Sequence, residues 1–245
     1  MLFKISCLSG WLLFAILLWY VRQRVFTKAA DLFARSGNEG ERTRHVEQAC
    51  ADLSQQPWLD SRDTLVFIGD SHIEMGNWYA MFRGRFSIRN AGISMSRIQD
   101  TTTVAESLAT VRPKAVVVQC GINNLGNGEN IAKCLVDLDR LFKALHRACS
   151  SQRVLFLSVM PVVERPLDSN AGIINKRVAE LNRELKKRCA DEGFCFADIT
   201  KNIVREGGLN PELSQDGLHL NTKGYQAIAP LVGMAIDKMM PAGAH

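Results

Sequence analysis

The chain has 245 residues, of which 47% are hydrophobic and 22% are charged, as in an ordinary globular protein. This balance excludes a disordered chain, and the length allows one domain of ordinary size or two small ones. The formal net charge is +5, but residues 1–36 carry five Lys or Arg and a single Asp, which leaves about +1 for the remainder. A nearly neutral globular part argues against nucleic-acid binding.

An uncharged apolar run lies near the beginning of the chain. Residues 5–21 read ISCLSGWLLFAILLWYV, which is at the short end of the length that a membrane-spanning helix needs. Two aromatic residues close the run, and Arg22 and Arg24 follow directly, as at a membrane interface. A signal peptide is the alternative, but Leu-Trp-Tyr-Val-Arg is a poor cleavage site. We therefore predict an uncleaved single-pass anchor over residues 1–24.

The side of the membrane on which the remainder lies stays open. One lysine precedes the apolar run and four Lys or Arg follow it, so the positive-inside rule favours the cytoplasm. The seven cysteines have no spacing typical of a disulfide framework or a zinc site. Cys189 and Cys195 could meet across a turn, although two buried thiols are the simpler interpretation.

Residues 25–63 are mostly polar and are predicted to form a stalk, and residues 64–240 form the domain that follows it. In that domain, apolar runs alternate with segments of helical periodicity. The predicted strands are Thr64–Ile68, Phe86–Arg89, Ala115–Gln119, Val154–Val159 and Phe194–Ile199, and the predicted helices are 97–111, 129–149, 172–190 and 222–239. This alternation indicates an α/β fold, with a parallel sheet covered by helices on both faces.

Ligands of such sheets bind at the carboxyl ends of the strands. The first strand runs into Gly69-Asp70-Ser71-His72, and a serine at a strand-to-helix turn suits a nucleophile whose oxyanion is bound by nearby donors. Helix capping by Asp and Ser, or an anion site, would explain the same residues. The side chain of His72 is expected to leave in a different direction from that of Ser71.

Two further loops at this edge contain polar residues. Asn90-Ala91-Gly92 follows the second strand, and a glycine lets a backbone N–H approach a ligand closely, although a plain turn is the alternative. Gly121-Ile122-Asn123-Asn124 follows the buried run AVVVQC. An asparagine side chain there could donate a hydrogen bond into the same crevice, whereas asparagines are also common in turns.

The fourth segment, Asp216-Gly217-Leu218-His219, precedes the last predicted helix. The spacing of three residues lets one tight turn place a carboxylate beside an imidazole. Asp216 could then hold the tautomer of His219 that accepts a serine proton. His45, His146 and His245 are most simply solvated.

Taken in this order, the four segments resemble the four blocks of the SGNH hydrolases, the GDSL-like lipase and esterase family. The resemblance spans about residues 64–240. The stretch Pro113-Lys114-Ala115-Val116-Val117-Val118 is also similar to the catalytic subunits of platelet-activating-factor acetylhydrolase. Two departures are His72, where the family often has leucine, and Asn124, where it often has aspartate.

The resemblance implies a flavodoxin-like three-layer αβα sandwich with a five-stranded parallel sheet, and the apolar run of residues 5–21 adds one N-terminal transmembrane helix before it. It implies that Ser71 is the nucleophile, His219 the general base and then acid, and Asp216 the residue that orients His219. The oxyanion hole would consist of the backbone N–H groups of Ser71 and Gly92 and the side-chain amide of Asn123. No metal or organic cofactor is expected.

The expected function is a membrane-anchored serine esterase that hydrolyses a short-chain or O-acetyl ester, with a small-molecule, glycan or lipid ester as substrate. An O-acyltransferase acting on a glycan would use the same residues, and a binding module without turnover is a third interpretation. Trp78 and Tyr79 could stack on a sugar, although packing is the simpler role. The loop Val162–Gly172 is the expected specificity element. Family resemblance favours an extracytoplasmic domain, and the oligomeric state is not predicted.

Overall fold

The computed structural model describes residues 39–54, 64–164 and 169–240. Its main feature is a five-stranded sheet in which every neighbouring pair is parallel, in the order β2-β1-β3-β4-β5. The strands are β1 (Thr64–Gly69), β2 (Ser87–Gly92), β3 (Ala115–Gln119), β4 (Val154–Leu157) and β5 (Cys195–Ala197). This is the flavodoxin-like order of doubly wound sheets, so the predicted sheet is confirmed.

Helices cover both faces of the sheet. They are α1 (39–54), α2 (Ser71–Glu74), α3 (Trp78–Met81), α4 (Ile98–Val111), α5 (Ile122–Gly126), α6 (Ile131–Ala148), α7 (Ser169–Asp191) and α8 (Thr222–Met239). A small antiparallel hairpin of β6 (Val204–Arg205) and β7 (Gly208–Leu209) lies between β5 and α8 in the chain. The four predicted helices correspond to α4, α6, α7 and α8, with ends that differ by three residues at most.

The continuous apolar runs of the strands are explained by the two faces of the sheet. Val66 and Ile68 of β1 belong to the core cluster that includes α4, α6 and α7 residues, whereas Leu65 and Phe67 belong to the cluster that includes α8 residues. Successive strand residues point to opposite faces, and here both faces are buried. Burying each such side chain stabilises the fold by about 1.5–3 kcal/mol.

Strand β2 continues three residues beyond its predicted end at Arg89 and includes Asn90 and Gly92. It is an edge strand that pairs with β1 alone, and most of its residues are at least partly exposed. An edge strand lacks the apolar run of a central one, so its polar residues resemble a turn in the sequence.

The chain divides into two compact units, Met1–Arg44 and His45–His245. Of the first unit the structure describes residues 39–44, in which Arg42 pairs with Glu39 at 3.1 Å. The second unit includes part of the segment predicted as stalk, because Val46 and Leu53 are buried in its core. Their spacing of seven residues puts both on one face of a helix. The folded domain therefore begins before the predicted boundary at residue 64.

No helix within the described ranges is long and apolar enough to cross a bilayer. The predicted anchor over residues 5–21 lies outside those ranges. Cys189 and Cys195 are both free thiols, and burial raises the pKa of Cys189 to about 12. The prediction of two buried thiols therefore holds for Cys189, whereas Cys195 is partly exposed.

Candidate active site

Ser71 is the first residue of α2, directly after the carboxyl end of β1. The Asp70 carboxylate caps the helix by accepting the His72 N–H at 3.0 Å. Gly69 has a φ of +147°, and a Cβ at this position would lie 1.8 Å from the carbonyl oxygen of Gln119 on β3. Only glycine lets β1 and β3 approach so closely at this edge. The serine is therefore held at the switch point of the sheet, where ligands of this fold bind.

Ser71 and His219 are 148 residues apart in the chain but meet in the structure. Ser71 Oγ lies 2.9 Å from His219 Nε2, and His219 Nδ1 lies 2.6 Å from Asp216 Oδ2. Because Nδ1 faces a carboxylate, it carries the proton, which leaves Nε2 to accept the Ser71 hydroxyl proton. The structure thus brings the three predicted triad residues into one hydrogen-bonded chain.

Residues 214–221, here named the histidine loop, hold Asp216 beside His219. Asp216 Oδ1 accepts the backbone N–H groups of Leu218 at 2.9 Å and His219 at 2.7 Å, and Ser214 Oγ donates to the His219 carbonyl at 2.9 Å. Burial acts to raise the pKa of Asp216, but the hydrogen bonds from His219 and Leu218 outweigh it and lower the pKa to about 2. Asp216 is therefore ionised at neutral pH.

The three predicted oxyanion donors differ in their present partners. The Ser71 N–H has no acceptor within the described part of the chain. Asn123 Nδ2 donates to the Ser96 carbonyl at 2.9 Å, which uses one of its two N–H groups. The Gly92 N–H donates to Asn90 Oδ1 at 3.0 Å, so it would have to exchange or share that acceptor to bind an oxyanion.

A family model described as the GDSL-like lipase/acylhydrolase family matches residues 67–227, from within β1 to within α8. The match covers more than half of the chain and contains all four segments of the site. The chain belongs to this family. It is therefore a serine ester hydrolase. The residues that the fold brings together at the sheet edge are its candidate catalytic residues.

Solved structures share the fold of this GDSL-like hydrolase. A Streptococcus pneumonia protein proposed to be a platelet activating factor is 20% identical, with a TM-score of 0.68 over 83% of this chain and 98% of its own. A GDSL-like lipase from Bacteroides thetaiotaomicron is 22% identical, with a TM-score of 0.64 over 80% and 97%. The esterase EstA from Pseudoalteromonas sp. is 19% identical, with a TM-score of 0.54 over 72% and 97%. No curated protein sequence matches the chain significantly.

Asn124 of the GDSL-like hydrolase, next to Asn123 in the chain, is fully buried and hydrogen-bonds neighbouring segments. Its Oδ1 accepts the Ile98 N–H at 3.0 Å, and its Nδ2 donates to Gln99 Oε1 and Glu129 Oε2, both at 3.1 Å. Burial acts to raise the pKa of Glu129, but hydrogen bonds from Asn124 and Lys133 outweigh it and lower the pKa. An aspartate in place of Asn124 would set two carboxylates against each other, which explains the departure from the family pattern.

Two supporting residues, Asn90 and Ser96, have roles that the sequence analysis does not assign. Asn90 Nδ2 donates to the Ile73 carbonyl at 2.9 Å and the Glu74 carbonyl at 3.1 Å. These carbonyl groups lie at the C-terminal end of α2, where a helix lacks N–H groups of its own to bond them, so Asn90 provides them with a donor. Ser96 Oγ donates to the Gly69 carbonyl at 2.9 Å, while the Ser96 carbonyl accepts from Asn123. Both residues are of types common in turns, so no sequence signal separates these roles from ordinary turn formation.

The aromatic residues after the serine have structural roles or lie at the surface. Trp78 is buried, stacks on Phe67 with ring centroids 4.7 Å apart, and donates its Nε1–H to the Ile73 carbonyl at 2.8 Å. Tyr79 is 61% exposed. The ring centroid of His72 lies 5.5 Å from that of His219.

A cavity of about 280 Å³ lies beside Asn123 and the histidine loop. Its walls are mainly apolar, and its lining includes Ile122, Val162, Val163, Ala171, Ile174 and Leu218. Part of the predicted specificity loop, Val162–Gly172, thus lines the cavity, and residues 165–168 of that loop lie outside the described ranges. Within the described residues, no group of three His, Cys, Asp or Glu side chains is placed to hold a metal ion.

Proposed function

We propose that this GDSL-like hydrolase cleaves a short-chain acyl ester through an acyl-enzyme intermediate on Ser71. The observation that carries the proposal is the continuous hydrogen-bonded chain from Ser71 Oγ through His219 to the Asp216 carboxylate. A serine hydroxyl is a weak nucleophile until an adjacent base removes its proton. Here, His219 Nε2 lies within hydrogen-bond distance of the Ser71 hydroxyl, and Asp216 orients the His219 ring that accepts the proton.

The proposed reaction has two halves. His219 Nε2 takes the Ser71 proton as Oγ attacks the ester carbonyl, and the oxyanion binds the Ser71 N–H and the remaining Asn123 amide N–H. The Gly92 N–H becomes a third donor to the oxyanion if its hydrogen bond to Asn90 Oδ1 breaks. The protonated His219, stabilised by Asp216, then donates its proton to the leaving alcohol oxygen as the C–O bond breaks. In the second half, His219 takes a proton from water as the water oxygen attacks the acyl carbon. The bond between that carbon and Ser71 Oγ then breaks, His219 returns the proton to Oγ, and the acid is released.

The test is Ser71→Ala in the full chain, assayed on acetyl and butyryl aryl esters. We expect kcat to fall by about 10⁴-fold or more, because the nucleophile and its base act as a unit. Ser107→Ala on α4 is the matched control, since its hydroxyl donates to the Val104 carbonyl of the same helix and also contacts Cys50 of α1, neither of which belongs to the site. A serine-directed phosphonate should label the wild type and Ser107→Ala but not Ser71→Ala. Wild-type turnover by Ser71→Ala would overturn the assignment.

We also propose that the 280 Å³ cavity receives the acyl chain. It lies beside the side chain of Asn123, the proposed oxyanion donor, and its apolar walls suit a hydrocarbon rather than a sugar. The volume is at the lower end of the range of about 300–1,000 Å³ found for ligand pockets, which supports a short chain. Among aryl esters of increasing chain length, acetyl to butyryl should give the highest kcat/KM.

A variant that widens this cavity sharpens the chain-length test. Ile174→Ala removes apolar atoms from the lining and should move the best substrate to a longer chain. Val136→Ala, an exposed position on α6, is the control and should leave the preference unchanged. An unchanged profile in Ile174→Ala would show that the acyl chain binds elsewhere.

Acyl transfer to a sugar is the second candidate. A larger cavity of about 680 Å³ lies between the α2–α3 segment and the start of α8, and polar side chains of Asn77, Gln215 and Asn221 contribute to its lining. Such a lining suits a hydroxyl-rich acceptor or the alcohol part of an ester. Product analysis with an acetyl donor and a glycan decides between them, because transfer exceeding hydrolysis favours the acyltransferase.

Membrane anchoring through residues 5–21 is a further part of the proposal. It is supported by the uncharged run of seventeen residues and by Arg22 and Arg24 directly after it. The full chain should stay in the membrane fraction after alkaline extraction, whereas a chain that lacks residues 1–24 should be released. A reporter fused after residue 245 would identify the side on which the hydrolase lies.

A further inference from the structure

The ring of His72 lies between two acceptors and is almost completely buried. Its side chain is 1% exposed, as is that of Asp70. His72 Nδ1 lies 3.3 Å from Asp70 Oδ1, and His72 Nε2 lies 3.0 Å from the carbonyl oxygen of Leu218. The contact with Leu218 joins the turn that carries Ser71 to the histidine loop, across 146 residues of chain.

The two partners determine where the protons of the His72 ring are. A carbonyl oxygen can only accept, so Nε2 must carry a proton to bond Leu218. Asp70 Oδ1 already accepts the His72 backbone N–H at 3.0 Å, as the capping side chain of α2. Nδ1 therefore also faces an acceptor and also carries a proton. Both ring nitrogens thus face oxygen acceptors, which favours the imidazolium form of His72.

The Leu218 carbonyl belongs to the peptide group that joins Leu218 to His219, and this group is held at both ends. Its oxygen accepts from His72 Nε2 at 3.0 Å, and its N–H, which belongs to His219, donates to Asp216 Oδ1 at 2.7 Å. A peptide group is planar, so fixing both its oxygen and its nitrogen fixes the position of the His219 Cα, from which the side chain extends. His72 thus acts on His219 through the backbone.

The surroundings keep His72 in place and charged. The Tyr225 hydroxyl donates to the His72 carbonyl at 2.8 Å, which fixes the backbone of the residue from α8. Besides Asp70 and the Tyr225 hydroxyl, the His219 ring has its centroid 5.5 Å from that of His72, and the charge of Asp216 also acts on the His72 ring. Burial acts to lower the pKa of His72, but the hydrogen bond and charge of Asp70 outweigh it and raise the pKa above its ordinary value.

We propose that His72 is a positioning residue that, as a buried imidazolium, holds the Leu218–His219 peptide so that the His219 ring stays aligned between Ser71 and Asp216. The catalytic part of this inference rests on the proposed function. Loss of the bond to Leu218 frees the peptide oxygen, and the histidine loop then relies on its own hydrogen bonds. A misplacement of about 1 Å at a reacting group can cost about 100-fold in rate.

Two amide variants separate this role from simple packing. In His72→Gln the side-chain amide nitrogen takes the place of Nε2 and can still donate to Leu218, whereas in His72→Asn it takes the place of Nδ1 and cannot. We expect kcat on an aryl ester to fall by about 100-fold in His72→Asn and by less than about 10-fold in His72→Gln, with little change in KM. Thermal unfolding establishes that both variants are folded.

Nuclear magnetic resonance of the full chain, labelled with ¹⁵N at histidine, gives a readout without turnover. Wild type should show protons on both His72 ring nitrogens, and a downfield proton from His219 Nδ1 that persists in His72→Gln and is lost in His72→Asn. Equal kcat in the two folded variants, or a His219 proton unchanged in His72→Asn, would overturn the inference. An inactive wild type with these resonances intact would instead refute the proposed function alone.

Discussion

The two sides of the candidate site are held in different ways. On the nucleophile side, Ser71 and Asp70 are buried, and the backbone continues from a central strand of the sheet. On the other side, the Asp216 side chain is 47% exposed, and the histidine loop has a single bridge, between Ser214 and Leu220, in place of a strand or helix. Packing positions the first side, and a few polar contacts position the second.

This difference indicates how each side should respond to change. Substitutions on the nucleophile side disturb buried groups, so they should affect folding and activity together. Substitutions in the histidine loop remove hydrogen bonds near solvent, so they should reduce activity with little loss of stability. His72 joins the two sides, because its ring lies in the buried region and its bond reaches the loop.

The largest effect is expected for Asp216→Asn in the histidine loop. The amide cannot hold the Nδ1-protonated tautomer of His219 as a carboxylate does, and the equivalent change in a serine protease triad lowers kcat by about 10⁴-fold. Steady-state kinetics on an aryl ester measures the loss, and chemical denaturation at neutral pH should show only a small decrease in the free energy of unfolding. Glu212→Gln, just before the loop, is the control and should keep wild-type kcat. Comparable activity in Asp216→Asn would exclude Asp216 as the orienting residue.

A smaller effect on kcat is expected at Asn123, and the adjacent Asn124 provides the contrast. Asn123→Ala removes a proposed oxyanion donor and should lower kcat by about 10²–10³-fold, or about 2.7–4 kcal/mol. Asn124→Ala leaves the buried Ile98 N–H without its acceptor and should lower the free energy of unfolding by about 1–3 kcal/mol, with a smaller loss of kcat. If the two variants lost activity and stability in the same proportion, the assignment of separate roles would be wrong.

The smallest effect concerns acid stability. The pKa of Asp216 is lowered from its ordinary value near 4 to about 2, so its ionised form stabilises the folded state above pH 4. That contribution should disappear as the pH falls from about 4 to about 2, and the half-exposed carboxylate keeps it small. Urea denaturation of wild type and Asp216→Asn should give a stability difference that shrinks over this range. A constant difference would contradict the lowered pKa.

Much of the fold follows from local patterns in the sequence. Strands β1 and β3 are central and covered on both faces, so their apolar runs are continuous and their bounds are predicted to within a residue. The long helices likewise follow from their periodicity. Edge strand β2 and the packed part of α1 are less evident, because an exposed strand and a mostly polar helix bury few residues.

The candidate site shows the same division. Ser71, Gly92, Asn123, Asp216 and His219 can be named from short segments, because the order of those segments along the chain resembles the four blocks of the GDSL-like family. The roles of Asn90, Ser96 and His72 depend on backbone carbonyls that belong to other segments. Nothing in a residue's own neighbourhood in the sequence identifies such an acceptor.

By itself, the sequence determined which segments form the sheet, which residue types lie at its carboxyl edge and where the basic excess is located. That excess of charge belongs mainly to residues 1–36 and says little about the substrate. Only the tertiary structure decided that His72 faces Leu218 and that Asn123 donates one N–H to the Ser96 carbonyl. It also decided that a small apolar cavity lies beside Asn123 and Leu218. Local patterns fix secondary structure, whereas contacts between segments that are distant in the sequence exist only once the chain has folded.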